Sequence, residues 1–344
     1  MVTMKDIAKK AGVSATTVSA ALRGTEGVSS EVAARIRTIA ERMNYRVNAS
    51  AQALRSGHTN TITLFTASMA TQYYHSLATS LSYEATTQGF ETRIQQSRFI
   101  THDEADIIRN ASASQSDGLI FISTSLTPRQ VLDCVGGKPV VMFENYMDDQ
   151  LIDSVNTPSR RGAQTAIKHL VDQGCTRIGI IGKDTLPYNA YRPSPLAGRS
   201  RNARILAAQQ AITDLGLPHA QTSCEDVDWS AEGGIEAAYR MADAGLPYDG
   251  VFCANDITAL GVLRGLADRG VRVPQDVAVI GFDGIDTSTY SVPRLSTIAL
   301  DYQGMARSAV MLLLQQINHP DTPSLPQTVT AGFTLEVRES SLRR

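Results

Sequence analysis

The chain has 344 residues, 42% of them hydrophobic and 19% charged, an ordinary globular composition that excludes a disordered, collagenous or coiled-coil chain. At about 100 to 200 residues per domain, the length fits two or three domains. No apolar run approaches the roughly 18 to 20 residues of a membrane-spanning helix, so no membrane partner is expected.

The first twenty residues carry Lys5, Asp6, Lys9 and Lys10 and no apolar stretch ending in a cleavage site, so the expected location is the cytoplasm. Four cysteines and six histidines are scattered without CxxC or HExxH spacing. Neither a metal nor a cofactor is expected. The net charge of −2 is unevenly spread: residues 1–57 hold nine basic and four acidic side chains, net +5, and the remainder carries −7. A small basic head on an acidic body points to a polyanion at the head.

In chain order, Thr3 and Asp6 form a capping-box-like start for a helix from Met4 to Ala11. Met4, Ile7, Ala8 and Ala11 give it one apolar face, and Gly12 ends it. Ser14 caps a second predicted helix, Ala15 to Leu22, with Val18 and Leu22 pointing inward. Two helices joined by a short glycine-bearing turn read as a helix-turn-helix. A third helix is expected from about Ser30 to Met43, with Val32, Ile36, Ile39 and Met43 on its inner stripe. Such a unit places the N-terminal end of its second helix in the major groove. The expected base-edge residues are Ala15, Thr16, Ser19 and Ala20, while Lys5, Thr17, Arg23 and Arg46 suit phosphate contacts.

From Thr61 onward, short aliphatic runs alternate with amphipathic stretches, the pattern of a parallel sheet flanked by helices. Ile62–Phe65, Gly118–Ile122, Pro139–Phe143, Ile178–Ile181, Gly250–Cys253 and Val277–Gly281 read as buried strands. Helices are predicted over Tyr74–Gln88, Arg160–Gln173, Arg204–Leu215, Glu232–Ala244, Ile257–Arg269 and Gln303–Gln316. More than six strands over about 280 residues suggests two doubly wound subdomains, whose ligands bind beyond the carboxyl ends of the strands.

Those ends carry Phe143-Glu144-Asn145, Ala254-Asn255-Asp256 and Gly281-Phe282-Asp283. Taken singly, an acid at a strand end more often forms a turn or helix cap. Together they supply what a cleft needs to hold a polyol.

An enzyme on this fold is the rival reading. Thr66 to Tyr74 contains no glycine where a dinucleotide loop needs GxGxxG, Gly182-Lys183 is followed by Asp184 rather than Ser or Thr, and no GxSxG occurs. A free-standing exported sugar-binding protein has no use for a basic head. Both rivals rank below a regulator.

The string Met4-Lys5-Asp6-Ile7-Ala8-Lys9-Lys10-Ala11-Gly12-Val13-Ser14-Ala15-Thr16-Thr17-Val18-Ser19 resembles the opening of the LacI/GalR family of bacterial transcription regulators. The pattern continues through Val28-Ser29, Arg35-Ile36, Met43-Asn44-Tyr45, Asn48 and Ala53-Leu54-Arg55. The resemblance implies a helix-turn-helix domain over 1–47 and a hinge helix with linker over 48–58. Asn48, Ala51, Leu54 and Arg55 then join the DNA contacts, with Leu54 wedging between base steps in the minor groove. Val47 stands where the family usually has proline, and Ala20 where many members carry arginine.

For residues 59–344 the resemblance implies a periplasmic-binding-protein-like core that binds an effector and dimerises. Its first subdomain is expected over about 59–158 plus 290–320, its second over 159–289 plus 321–344. Carried over residue by residue, the effector-binding set is Tyr73, Tyr74, Glu144, Arg204, Trp229, Asn255, Asp256, Asp283 and Tyr302. Ala207-Ala208 replaces the Gly-aromatic half of the motif that opens at Arg204. No heptad-repeat tail follows Leu335, so a homodimer is expected on a pseudo-palindromic double-stranded DNA operator. The implied function is a non-enzymatic repressor whose operator affinity is set by a sugar or, alternatively, a nucleoside or purine.

Overall fold

The computed structural model describes residues 2–23, 27–45, 58–66, 68–97, 101–113, 116–146, 150–183, 195–217, 224–227, 229–322 and 325–343. The chain divides into two units, Met1–Thr59 and Asn60–Arg344.

In the first unit, α1 (Met4–Ala11), α2 (Ala15–Arg23) and α3 (Ser30–Arg42) follow the predicted helices to within a residue at each end. The Thr3–Asp6 capping box forms in full, and Gly12 closes α1 in the left-handed region, its N–H donating to the Ala8 carbonyl. Ser14 Oγ accepts from the Thr17 N–H at 3.0 Å at the head of α2, and Ser29 caps α3 in the same manner. Ile7, Ala8, Ala11, Val18, Ala21, Ile36 and Ala40 make the core, so three short helices bury one small apolar cluster. Arg35 Nη2 donates to the Ala11 carbonyl at 3.1 Å, which ties α3 to the end of α1.

The second unit contains two six-stranded sheets of the same winding. In chain order its elements are β1 (Thr61–Thr66), α4 (Gln72–Thr87), β2 (Glu91–Gln96), α5 (Thr101–Ala113), β3 (Gly118–Phe121), α6 (Pro128–Val135), β4 (Val140–Phe143) and β5 (Asp153–Asn156). There follow α7 (Ser159–Asp172), β6 (Ile178–Lys183), α8 (Pro195–Asp214), β7 (Cys224–Asp226), α9 (Ala231–Asp243), β8 (Gly250–Cys253), α10 (Asp256–Asp268) and β9 (Ala278–Asp283). β10 (Ser296–Leu300), α11 (Tyr302–Asn318), β11 (Thr328–Thr330) and β12 (Phe333–Glu336) complete the chain.

The sheet orders are β11-β5-β4-β3-β1-β2 and β12-β10-β9-β8-β6-β7. Every pairing is parallel except β10 with β12. Each sheet therefore reverses its winding beside its first strand, between β1 and β3 and between β6 and β8, the place where doubly wound folds open a crevice. Helices α4 and α11 cover one face of the first sheet and α5 and α6 the other; α7 with α8, and α9 with α10, cover the second.

The central strands β3, β4, β8 and β9 are buried along their whole length, as expected of parallel strands covered on both faces. One apolar cluster runs from Leu77, Ile120 and Leu313 in the first subdomain to Ile167, Ile212 and Ile280 in the second.

Three segments connect the subdomains: Thr157–Pro158, Asp301 and Ala331–Gly332. They lie side by side, since the Ala331 N–H donates to the Asn156 carbonyl at 2.9 Å and the Asp301 N–H to the Gly332 carbonyl at 3.4 Å. The expected subdomain boundaries need correcting here. Residues 290–320 were assigned to the first subdomain, yet β10 (Ser296–Leu300) pairs with β9 in the second sheet. Residues 321–344 were assigned to the second, yet β11 (Thr328–Thr330) pairs with β5 in the first. The physical reason is that the chain crosses at Asp301 and again at Ala331, so only α11 and β11 belong with the first sheet.

Candidate functional site

On the helix-turn-helix unit, Lys5, Ala15 and Thr16 are exposed and Thr17 and Ala20 half-buried. Ser19, expected among the base-edge residues, is instead 7% exposed. It follows Val18, which is fully buried, so the turn of α2 carries it off the outward face. Arg23 ends α2, but its side chain, like Arg46, Asn48, Ala51, Leu54 and Arg55, lies outside the described residues.

In the second unit, the strand ends converge on a buried polar cluster. Arg204, from the middle of α8, is 4% exposed and held on three sides. Its Nε donates to Ser159 Oγ at 3.2 Å, and its Nη1 to the Ala254 carbonyl at 2.7 Å and to Asp283 Oδ1 at 2.9 Å. The guanidinium lies 3.8 Å over the Phe282 ring and 5.5 Å from that of Trp229, both within cation–π range. The three bonds of the guanidinium thus run from Nε and Nη1, and the ion pair with Asp283 runs through Oδ1.

Opposite this pair stand residues of the first subdomain. Tyr73 packs edge-on against Tyr74 at 5.3 Å and in a tilted arrangement against Tyr302 at 5.9 Å. Among the described residues, the buried hydroxyls of Tyr73 and Tyr302 have no hydrogen-bond partner. Burial, with the negative field of Glu144 and Asp283, raises the Tyr73 phenol far above its ordinary range. Burial and Asp283 do the same to Tyr302. Both phenols therefore stay neutral donors at any physiological pH.

Burial pushes Asp283 up to about 6, against the opposing pull of Arg204. Burial would lower Arg204, but Asp283 and Glu144 more than compensate and it stays charged.

Two non-glycine residues of this cluster have positive φ, Glu144 at 57° and Asp283 at 116°. Backbone strain of this kind concentrates at ligand clamps. Glu144 accepts from the Thr157 N–H at 2.8 Å through Oε1 and from Thr157 Oγ1 at 3.2 Å through Oε2. Beside Tyr302 a cavity of about 420 Å³ opens between α4 and the turn after β9, lined by His75, Ser76, Ser80, Asp286 and Asp301. Thr287 Oγ1 donates to Gln72 Oε1 at 2.9 Å, joining the two subdomains near it.

The expected binding residues divide on inspection. Tyr73, Glu144, Arg204, Asp283 and Tyr302 come together, with Trp229 behind Arg204 and its Nε1 donating to the Gly182 carbonyl at 2.5 Å. Asn255 and Asp256 do not present free side chains. Asn255 Oδ1 caps α10 by accepting from the Thr258 N–H at 2.9 Å. Asp256 is fully buried and accepts from Thr297 Oγ1 at 2.6 Å and from the Gly284 and Ile285 N–H groups at 2.8 and 2.9 Å. It fastens the turn after β9 that carries Asp283, acting one layer behind the Arg204–Asp283 pair.

Sequence reasoning missed Tyr146, Thr157 and Ser159, and it named Phe282 only within a strand end, not as a site residue. Phe282 alone had a signal, as the aromatic preceding the strand-end acid.

Comparison with known proteins agrees with this geometry. Residues 3–48 match the model for bacterial regulatory proteins of the lacI family, and residues 167–341 that for the periplasmic binding protein-like domain. Catabolite control protein A of Priestia megaterium is 28% identical over 342 residues, 99% of each chain. The HTH-type transcriptional repressor CytR of Escherichia coli (strain K12) is 27% identical, across 92% of this chain and 89% of its own.

Among solved structures, a chain from Sanguibacter keddieii DSM 10542 described as a transcriptional regulator of the LacI family is 30% identical. It covers 82% of this chain and 98% of its own, with a TM-score of 0.71. The lac repressor dimer bound to operator and the anti-inducer ONPF shares the fold with a TM-score of 0.83 at 23% identity, covering 99% of both chains. A helix-turn-helix unit followed by a doubly wound two-sheet core defines a DNA-binding transcriptional regulator. The chain belongs to the LacI family of bacterial regulatory proteins.

Proposed function

We propose that this regulator is a repressor that binds a pseudo-palindromic operator as a homodimer and releases or tightens its hold when a small hydroxylated molecule enters the cleft. The observation that carries the ligand reading is the set of polar groups left unspent, among the described residues, in one buried place. These are the hydroxyls of Tyr73 and Tyr302, close to the Arg204–Asp283 pair, whose members bond each other through Nη1 and Oδ1. A donor edge beside an acceptor, with two neutral phenols opposite, matches vicinal hydroxyls that both donate and accept. Trp229 and the tyrosines supply the apolar faces on which a ring packs.

A sugar fits this set best. A nucleoside is the second reading, favoured by Tyr73, Tyr74 and Tyr302, whose rings offer a base a stacking surface. Tyr73, Tyr74, Glu144, Arg204, Trp229, Asp283 and Tyr302 form the proposed contact set, supported from behind by Asn255 and Asp256. The role is recognition without turnover.

On DNA, Ala15, Thr16 and Ala20 face base edges and Lys5, Thr17, Arg23 and Arg46 the phosphates. Asn48, Ala51, Leu54 and Arg55 serve the hinge, with Leu54 as the minor-groove wedge. Relatives named as regulators, and a repressor fold that holds operator and small ligand together, support this reading.

A thermal-shift screen of sugars and nucleosides tests it, since a ligand of the folded state raises Tm by mass action. A hit should lose its effect in an Arg204 variant. Hits that stabilise wild type and the variant equally would place the ligand elsewhere.

A further inference from the structure

Ser159 and Thr157 stand where the chain first crosses between subdomains, 1% and 2% exposed. Neither belongs to the ligand set proposed above, and their bonds have a defined direction. Arg204 Nε donates to Ser159 Oγ at 3.2 Å. Ser159 Oγ and Thr157 Oγ1 lie 2.9 Å apart. Thr157 Oγ1 donates to Glu144 Oε2 at 3.2 Å.

A hydroxyl has one proton and two lone pairs. With its proton committed to Glu144, Thr157 can only accept from Ser159, and Ser159, giving its proton to Thr157, can accept from Arg204. Tyr146 braces the same point, its hydroxyl donating to the Thr157 carbonyl at 3.0 Å. The result is one chain of donors running from a guanidinium of the second subdomain, through two hydroxyls of the crossover, to a carboxylate of the first. Opposite charges at its ends align both hydroxyl dipoles, and burial strengthens each link.

We infer that Ser159 and Thr157 are positioning residues that lock Arg204 and Glu144, from opposite walls of the cleft, into one register across the crossover. A ligand that draws on Arg204 or Glu144 must alter the polarisation of the chain, and the crossover is one of the three segments that join the subdomains. This consequence rests on the proposed ligand site. The chain of hydrogen bonds itself does not.

The test exploits the fact that Thr157 does not touch Arg204. In protein carrying ¹⁵N-arginine, the Arg204 Nε–H resonance and its exchange with solvent are followed in wild type, Thr157→Val and Thr157→Ser, with Ser159→Ala as the variant that removes the direct acceptor. Valine keeps the volume of threonine and the backbone bond to Glu144 Oε1, so the fold should persist. We expect the Nε–H signal to shift in Thr157→Val and exchange about tenfold faster or more, and serine to restore both. An unchanged signal and exchange rate in Thr157→Val, beside a clear effect in Ser159→Ala, would overturn the relay.

D-ribose, lactose and adenosine are then added to each protein as probes. A shift of the Arg204 signal by one of them that is smaller in Thr157→Val than in Thr157→Ser supports transmission through the crossover. Equal shifts overturn transmission. Should none of the three move Arg204 while the Thr157→Val effect is present, the ligand reading fails for those probes and the relay stands.

Discussion

Arg204 donates from Nη1 to Asp283 Oδ1 at 2.9 Å, with the two residues 4% and 6% exposed. A pair this deep is asymmetric in its energetics. Removing one partner strands a buried charge at a cost of about 3–5 kcal/mol, whereas replacing both by groups of similar volume is often close to neutral. Arg204→Met should therefore lower the stability of the core by that amount and abolish the ligand response. Arg204→Met combined with Asp283→Leu should recover most of the stability and none of the response. Denaturant unfolding measures the first and ligand-dependent operator binding the second. A single variant as stable as wild type would mean that the pair is not desolvated as described.

Asp256 gives a prediction in pH. Burial and then the charge of Asp283 push it up to about 8, against its three hydrogen bonds. The unfolded carboxyl titrates near 3.9. Between those values the folded state holds a proton that the unfolded state lacks, so each step of one in pH removes about 1.4 kcal/mol of stability. The contribution is complete below about pH 4 and is lost as pH rises through 8. Asn keeps an acceptor for the Gly284 and Ile285 N–H groups and can donate to Thr297. Relative to wild type, Asp256→Asn should gain about 5 °C in Tm between pH 6 and pH 8. A constant Tm difference across that range would show that Asp256 does not titrate there.

The small head has an apolar core of its own. Ile36 is fully buried in the three-helix core, and Ile36→Ala should cost about 2–5 kcal/mol, enough to unfold a unit of this size. Operator binding should disappear while ligand-induced thermal stabilisation of the larger unit persists. Loss of both would mean that the two units do not fold independently.

Leu54→Ala should weaken specific operator binding about ten- to a hundredfold, the 1–3 kcal/mol of a lost specific contact, and leave salt-sensitive nonspecific binding nearly intact. Binding assays on operator and on scrambled duplex over a salt series separate the two. Equal losses on both duplexes would remove the wedge.

Much of this architecture is legible in the residue pattern, and the exceptions have physical reasons. The predicted strands are runs such as Val140–Phe143, buried on both faces and so continuously aliphatic. β2 (Glu91–Gln96) was missed because it is an edge strand whose residues are largely exposed and polar. β5, β7 and β11 are three or four residues long with little apolar signal. Missing β10 and β11 is also what exchanged the subdomain boundaries.

In the cleft, Tyr73, Glu144, Arg204, Asp283 and Tyr302 were reached through strand-end position and family resemblance. Thr157, Ser159 and Tyr146 were not, because hydroxyls have no periodicity and their role arises from where the chain crosses. Asp256 was read as a ligand group from its place beside Asn255. In the fold its oxygens are already taken by Thr297, Gly284 and Ile285.

The most direct test of the regulator reading is an anisotropy titration of the purified protein against its strongest genomic duplex, with and without a stabilising sugar or nucleoside. Two protomers should occupy one pseudo-palindromic site, and the small molecule should change the Kd by about 5- to 150-fold, the usual range of allosteric coupling. A protein that holds this duplex no better than random DNA, or whose operator Kd ignores a molecule that demonstrably fills the cleft, would contradict it.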